Sequence, residues 1–326
     1  MTSADHLVSG HFTIEPLAEG VYAAVATPRK GVVVNAAIVD LGDRTLVFDT
    51  LATLPAARDL RKAAERLTGR APVVVVNSHW HGDHVYGNQV FLPEATIVAT
   101  ETTRAIMAER IAAGIATERT RIGEQVVTLE RQLAEVADDR RHRLALDLAF
   151  ARERAASLPE QRACLPTETF DGKMVFHGSG RRAELLTYGG GHTRSDAFLY
   201  LPDDGLALMG DLAFVRFHPL LAHGDPRVWR RIVERVRLLD LRAVLAGHGP
   251  VGTVEDLDSL ARYLTTIEDL ALSVVENGGR PEQAHTLSMP APFDTWDAPE
   301  IFASNMTFLL DYLEKEKRRE GGVPRE

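Results

Sequence analysis

The stretch "VVVVNSHWHGDHVYGNQVF", residues 73–91, sets His79, His81, Asp83 and His84 within six positions. The apolar run before them has the length and β-branched content of a buried strand, so the cluster falls where a strand leaves its sheet. Neutral imidazole and carboxylate are ligands for borderline metals such as zinc. In an extended chain His79 and His81 are two positions apart and point to one side. Asp83 and His84 follow where the loop turns toward a helix and can face a second centre, with Gly82 and Gly87 permitting a tight backbone. The spacing suits two neighbouring metals better than one.

Four ligands do not fill two shells, and the chain offers three more at the ends of later apolar runs. These are His192 in "TYGGGHTRSD", Asp211 in "LALMGDLAF" and His248 in "AVLAGHGPVG". Each lies beside glycine, read here as room for a metal and its water. Incomplete protein shells leave positions for solvent, which marks catalytic rather than structural metal. A lone loop histidine is ordinarily just solvated, whereas seven metal-type residues in four ordered motifs read as a metal site.

Working outward, residues 11–50 are predicted strands with a turn at "DLGD". Residues 54–68 have a helical pattern, with Pro55 near the first turn and Gly69 as the stop. "APVVVV" is then a short buried strand, giving the strand–helix–strand order of an α/β fold. Residues 101–163 differ. Between 101 and 165 eleven arginines balance eleven Asp plus Glu, and apolar residues recur at helical spacing, so a helical insertion with a salt-bridged face is expected. Strands return with "KMVFHG", "AELLTYG", "AFLYLP" and "LALMGD". Helices follow at about 226–240, 254–277 and 298–317, and residues 318–326 are expected to be a disordered tail. The organisation is read as one domain over residues 1–326.

The chain has 326 residues, and 45% hydrophobic against 25% charged residues places it among ordinary soluble globular proteins. A formal net charge of −9 argues against a nucleic-acid surface. Cys164 is the single cysteine, so no intrachain disulfide forms, and it reads as a small hydrophobe rather than a nucleophile. The N-terminal residues lack the pattern of a signal peptide, and no apolar run approaches the roughly 18 residues of a membrane span. A cytoplasmic protein with no membrane partner is the expectation.

"HWHGDH" resembles the HxHxDH signature of the metallo-β-lactamase superfamily, and "GGGHT", "GDLAF" and "AGHGP" resemble its later motifs in the same order. The resemblance covers roughly residues 12–100 and 167–255. It implies a four-layer αββα sandwich with metals at one edge of the paired sheets. It also implies that His79, His81 and His192 hold one metal, that Asp83, His84 and His248 hold a second, and that Asp211 bridges them. "LVFDT" resembles an early family motif, which makes Asp49 an acid behind the ligands. The segment "FVRFHPLLAHGDPRVWRRIVERVRLLD" is similar to a hydrolase-like branch with an HP dipeptide and a "GDP…W" helix start. Two departures stand out. The gap from His84 to His192 is longer than usual, and true β-lactamases lack the bridging aspartate, which argues against antibiotic hydrolysis.

The resemblance implies a dinuclear hydrolase, zinc being the expected metal and iron or manganese the alternatives. A hydroxide shared by the two cations would attack an ester, lactone, thioester or related bond of a small molecule, with Asp83 orienting it and relaying its proton. A mononuclear iron dioxygenase of the same fold is the alternative, opposed by the complete second shell. A β-lactamase, a binding protein without turnover and an RNA-processing enzyme stand behind it. Around the metals, Trp80 is a packing anchor or a substrate contact. His218 and His223 are either cleft groups or part of a surface loop. Arg194 serves a structural ion pair or an acidic substrate group. The insertion is expected to be a lid over the site or an arm that forms a homodimer.

Overall fold

The computed structural model describes residues 9–27, 33–136 and 140–321, with side chains to 317. Alternation of apolar side chains with a period of two decides the layers. In β3 (Ala36–Asp40), β4 (Thr45–Phe48), β5 (Pro72–Val76) and β6 (Thr96–Thr100), one face carries Val39, Leu46, Phe48, Val74, Val76 and Val98. The other face carries Ile38, Val47, Val75 and Ile97 and packs on α1 (Leu54–Thr68) through Ala56, Leu60 and Ala64. These strands join β1 (Phe12–Ala18), β2 (Val21–Ala26) and β7 (Glu168–Phe170) in a seven-stranded sheet, ordered β1 to β7. Pairing is antiparallel as far as β4 and parallel from β4 to β7.

A second sheet has the order β12 (Ala243–His248), β11 (Leu206–Phe214), β10 (Ala197–Leu201), β9 (Arg182–Thr187), β8 (Lys173–His177). Leu199, Leu201, Leu208 and Leu245 meet the first sheet, while Phe198, Met209, Val244 and Ala246 face outward. Helices α5 (Pro226–Val236), α6 (Val254–Glu276) and α7 (Glu300–Gly321) cover that outer face through Trp229, Leu260, Ile267 and Leu310. The result is helix, sheet, sheet, helix, as expected. Each fully buried large aliphatic or aromatic side chain stabilises such packing by about 1.5–3 kcal/mol.

Helix α1 ends where its sequence says. Thr53 Oγ1 accepts from the Ala56 N–H at 3.3 Å, Pro55 lies in the first turn, and Gly69 takes the left-handed cap at φ 74°. Helix α7 runs through residue 321, so the tail expected from 318 is helical for its first four residues. The run of Lys, Arg and Glu there favours helix, and a Lys315–Asp311 pair one turn apart supports it. Residues 322–326 lie outside the described ones. No helix among the described residues is long and apolar enough to cross a membrane.

The insertion is an antiparallel pair, α3 (Glu101–Glu135) and α4 (Arg140–Ser157), the first about 50 Å long at 1.5 Å per residue. Met107, Ile111, Ile115 and Ile122 form a stripe that packs with Ala151 and Leu158 onto Val85, Trp80 and Tyr86. Its base is therefore seated on the HWHGDH loop. The buried Arg154 clamps it, donating to Glu118 at 2.8 and 2.5 Å and to the Ala52 carbonyl at 2.7 Å, with its guanidinium 4.5 Å from the Tyr86 ring centre. Beyond Ile122 helix α3 is largely exposed, Val127 at 65%. Arg143 of α4 meets Glu300, at the start of α7, at 2.9 Å.

Candidate metal centre

All the sequence-predicted ligands meet at one edge of the two sheets. His79 follows β5. Asp83 and His84 ride on the one-turn helix α2 (Gly82–Val85), His192 lies between β9 and β10, Asp211 is in β11, and His248 ends β12. Asp211 sits where the β11–β12 register shifts, a common device for re-aiming a side chain. The side chains fall into two groups whose ligand atoms lie within 4.8 Å of one another: His79, His81, His192 and Asp211, then Asp83, His84 and His248.

Asp211 faces both groups. Its Oδ2 lies 3.2 Å from His192 Nε2 and 3.7 Å from His79 Nε2, while its Oδ1 lies 3.0 Å from His84 Nε2 and 3.5 Å from His248 Nε2. Asp83 Oδ2 is 3.6 Å from His248 Nε2 and 3.8 Å from His84 Nε2. His79 Nε2, His84 Nε2 and Asp211 Oδ1 are buried and make no well-aligned hydrogen bond among the described residues, the 3.0 Å approach of His84 Nε2 to Asp211 Oδ1 included. Buried polar atoms ordinarily find partners, so lone pairs that converge unpaired fit metal ions between them. These residues are positioned to bind metal.

One carboxylate sets the proton positions behind this cluster. Asp49 is buried at φ 59° and accepts from the Ser78 N–H at 2.8 Å, the Ser78 hydroxyl at 2.7 Å and His84 Nδ1 at 2.8 Å. When neutral, His84 thus keeps its proton on Nδ1 and offers Nε2 as a lone pair. Because the Ser78 hydroxyl donates to Asp49, it accepts from His79 Nδ1 at 2.9 Å, which leaves the His79 Nε2 lone pair free as well. Asn77 and Asn88 exchange buried amide hydrogen bonds of 3.0 and 2.8 Å across the loop, and Thr50 ties the His84 carbonyl to it at 3.0 Å.

Electrostatics separate the two groups. Burial, then the neighbouring His84, His81 and His192, pushes His79 well below the usual imidazole range, and burial with His192 does the same to His81. Burial also opposes charge on His84 and His248, but the carboxylates outweigh it, Asp211 most of all, and both are raised. Burial likewise opposes charge on Asp211, yet the histidines, led by His84, hold it well below the carboxylate range.

The glycines beside the candidate ligands make room for neighbouring protein atoms. A Cβ on Gly247 would lie 1.9 Å from Asp211 Oδ1, and one on Gly210 would lie 2.5 Å from Ser78. Their missing side chains let ligand-bearing segments approach one another. The "GDP…W" stretch works similarly: Asp225 caps α5, its N–H reaches the Gly191 carbonyl at 3.0 Å, and the Trp229 ring packs 5.2 Å from the His192 ring. Asp196, four residues after His192 and with no metal-type spacing to mark it in the sequence, pins the His192 loop by accepting from the Gly191 and Thr193 N–H groups, and burial raises its pKa.

A cavity of about 430 Å³ opens onto the ligands. Besides His81, Asp83, His192, Asp211 and His248, its walls include Val33, Phe214, Phe217, Leu220, Ile301, Arg143 and Glu300. The other candidates separate clearly. His223 lines the cavity and its Nδ1 is 2.8 Å from His81 Nε2. Its pKa is lowered by partial desolvation, then by His192 and Arg110. His218 also forms part of the wall but is fully buried, bonded through Nδ1 to Tyr263 Oη at 3.1 Å among aromatic rings, and burial lowers its pKa. Trp80 packs on the insertion, with Arg110 5.3 Å from its ring centre, and does not line the cavity. Arg194 is exposed and does not line it either. Cys164 is half-buried away from this wall, and burial raises its thiol.

The family model described as the metallo-beta-lactamase superfamily matches residues 29–248, more than half of the sequence. This chain belongs to the metallo-beta-lactamase superfamily. Among solved structures, a metallo-beta-lactamase from Pontibacter korlensis aligns with a TM-score of 0.56 at 19% identity, covering 78% of this chain and 99% of the other. The DIM-1 metallo-beta-lactamase, in a crystal exposed to ceftazidime, aligns at 0.55 and 16% identity, covering 78% and 97%. At such identities these likenesses show the superfamily's fold and no more. Helix α3 accounts for the helical insertion expected between the HWHGDH and GGGHT motifs.

Proposed function

We propose that this superfamily member is a two-metal hydrolase, with zinc as the metal, acting on an ester, lactone, thioester or related bond of a small molecule. The observation that carries this reading is Asp211, whose two oxygens face two separate groups of imidazole nitrogens. His79, His81 and His192 would hold one cation, Asp83, His84 and His248 the other, with Asp211 between them. A pair of divalent cations, when bound, supplies Lewis acidity toward a substrate oxygen and a nucleophilic hydroxide at neutral pH.

The rest falls to the protein. Asp49 and Ser78 hold His79 and His84 in the tautomers that present Nε2. Asp83, with a side chain 36% exposed, faces both the second group and the cavity. In this reading it would orient a water and carry its proton toward solvent. The apolar wall of Val33, Phe217, Leu220 and Ile301 would take the hydrocarbon part of a substrate, since such pockets fix small molecules by apolar contact with a few polar groups. The insertion acts as a lid in this reading, Arg143 being its residue in the cavity wall.

The test is a screen of lactones, thioesters, esters, phosphodiesters, sulfate esters and β-lactams against protein of measured metal content. Two zinc per chain and hydrolysis of an acyl substrate are expected. One iron per chain with oxygen-dependent turnover would replace this reading with dioxygenase chemistry.

A further inference from the structure

Resting on the two-metal reading, we propose that His223 is a positioning residue for the first metal: it fixes the tautomer and ring orientation of His81. A neutral imidazole has one lone pair to give, so a ligating histidine must carry its proton on the other nitrogen. His79 and His84 are set in this way by Ser78 and Asp49, deep in the core. His81 is half-buried and makes no hydrogen bond to either of those groups. Its Nδ1 lies 3.0 Å from His192 Nε2, which is itself 3.2 Å from Asp211 Oδ2, so Nδ1 is the nitrogen on the metal side. Its Nε2 points the other way, to His223 Nδ1 at 2.8 Å.

With Nδ1 given to a metal, Nε2 must hold the proton and donate it to His223 Nδ1. The rings lie 4.9 Å apart at 64°, and Trp80 borders both, at 4.5 Å from His81 and 5.1 Å from His223. The acceptor is delivered by a braced loop rather than by chance contact. Asn305 of α7 accepts from the Leu221 N–H at 3.0 Å and donates to the Pro219 carbonyl at 2.7 Å. On the other side of His223, a Cβ on Gly224 would lie 1.9 Å from the Gly191 carbonyl oxygen, so that end sits tightly on the His192 loop. His223 also lines the cavity, so the first metal is tied to a loop that forms part of the substrate wall.

Two full-length variants test this. His223→Ala removes the acceptor, while His223→Asn can place an amide oxygen near the position of Nδ1. Zinc affinity at each site would be read by chelator competition, and first-site geometry by the absorption spectrum of the cobalt-substituted protein. His223→Ala should weaken the first site about 10–100-fold and shift its cobalt bands, with the second site unchanged. His223→Asn should restore most of both. Wild-type affinity and spectrum in His223→Ala would overturn the proposal, and so would an Asn variant no better than Ala or an equal loss at both sites. Failure of the two-metal reading shows separately, as wild-type protein that takes up fewer than two metals.

Discussion

Asp49→Asn is nearly isosteric, yet it should weaken metal binding through proton positions alone. Asp49 accepts three hydrogen bonds and donates none. An asparagine must turn one oxygen into a donor. If the amide nitrogen replaces Oδ2, it points at the Ser78 hydroxyl and His84 Nδ1. Both must then accept, the serine proton turns toward His79, and both histidines move their protons to Nε2, where the ligand lone pairs were. If the nitrogen replaces Oδ1, it opposes the Ser78 N–H, leaving buried donors unsatisfied at about 1–3 kcal/mol. Metal-free protein can relax into the first arrangement at little cost. Metal binding must force the second, so the penalty appears on binding: about 1–3 kcal/mol, or roughly 5- to 150-fold in affinity. Loss of the carboxylate charge adds to it. Chelator competition would measure the affinity, and urea unfolding of metal-free protein would show whether stability moves. Metal-free stability close to wild type with binding weakened at least about fivefold is the expectation. Wild-type affinity at both sites in a folded Asp49→Asn protein would refute the tautomer argument.

Further outcomes follow from the same geometry. Asp211→Ala should lose or misplace the second metal, whereas His192→Ala should mainly weaken the first; metal analysis showing two zinc in both variants, with unchanged cobalt spectra, contradicts the bridging role. Chelation should abolish hydrolysis and lower the melting temperature, because a site filled at 100 times its dissociation constant stabilises by about 2.7 kcal/mol; full activity in protein verified as metal-free would sink the proposed function. As pH falls from about 8 to about 5, zinc should leave the Asp83, His84 and His248 group first. Burial opposes charge on His84 and His248, but Asp211 raises both, so protons compete there at higher pH than at His79 and His81, which burial depresses; simultaneous loss from both sites would contradict this order. Replacing the far half of the insertion, from about residue 124 to 146, by a short Gly/Ser linker should keep both metals and change substrate choice, since Arg143 leaves the wall; an unchanged substrate profile rules out the lid.

The cluster of metal-type residues is legible because metal chemistry restricts residue type, and strand ends repeat the same local context: an apolar run, then histidine or aspartate beside glycine. The ends of α1 were legible for a similar reason, since Thr53, Pro55 and Gly69 act within one turn. The atoms packed against the glycines are not legible locally. In sequence a glycine beside a ligand looks like space, and only the fold shows Asp211 Oδ1 or Ser78 occupying it. In sequence His223 is a loop histidine with no local sign of its role. Its partner His81 is 142 residues away, and the loop that carries it is braced by Asn305, which is 84 residues beyond Leu221. Arg143 and Glu300 meet across 157 residues. The metal end of the cleft is thus written in short motifs, while its walls come from Val33, the segment 214–223, the insertion and the start of α7, four segments brought together only by packing. Under the proposed function those walls would choose the substrate. A chain can therefore declare its metal chemistry in a few local residues and still hold its specificity in contacts that no local pattern contains.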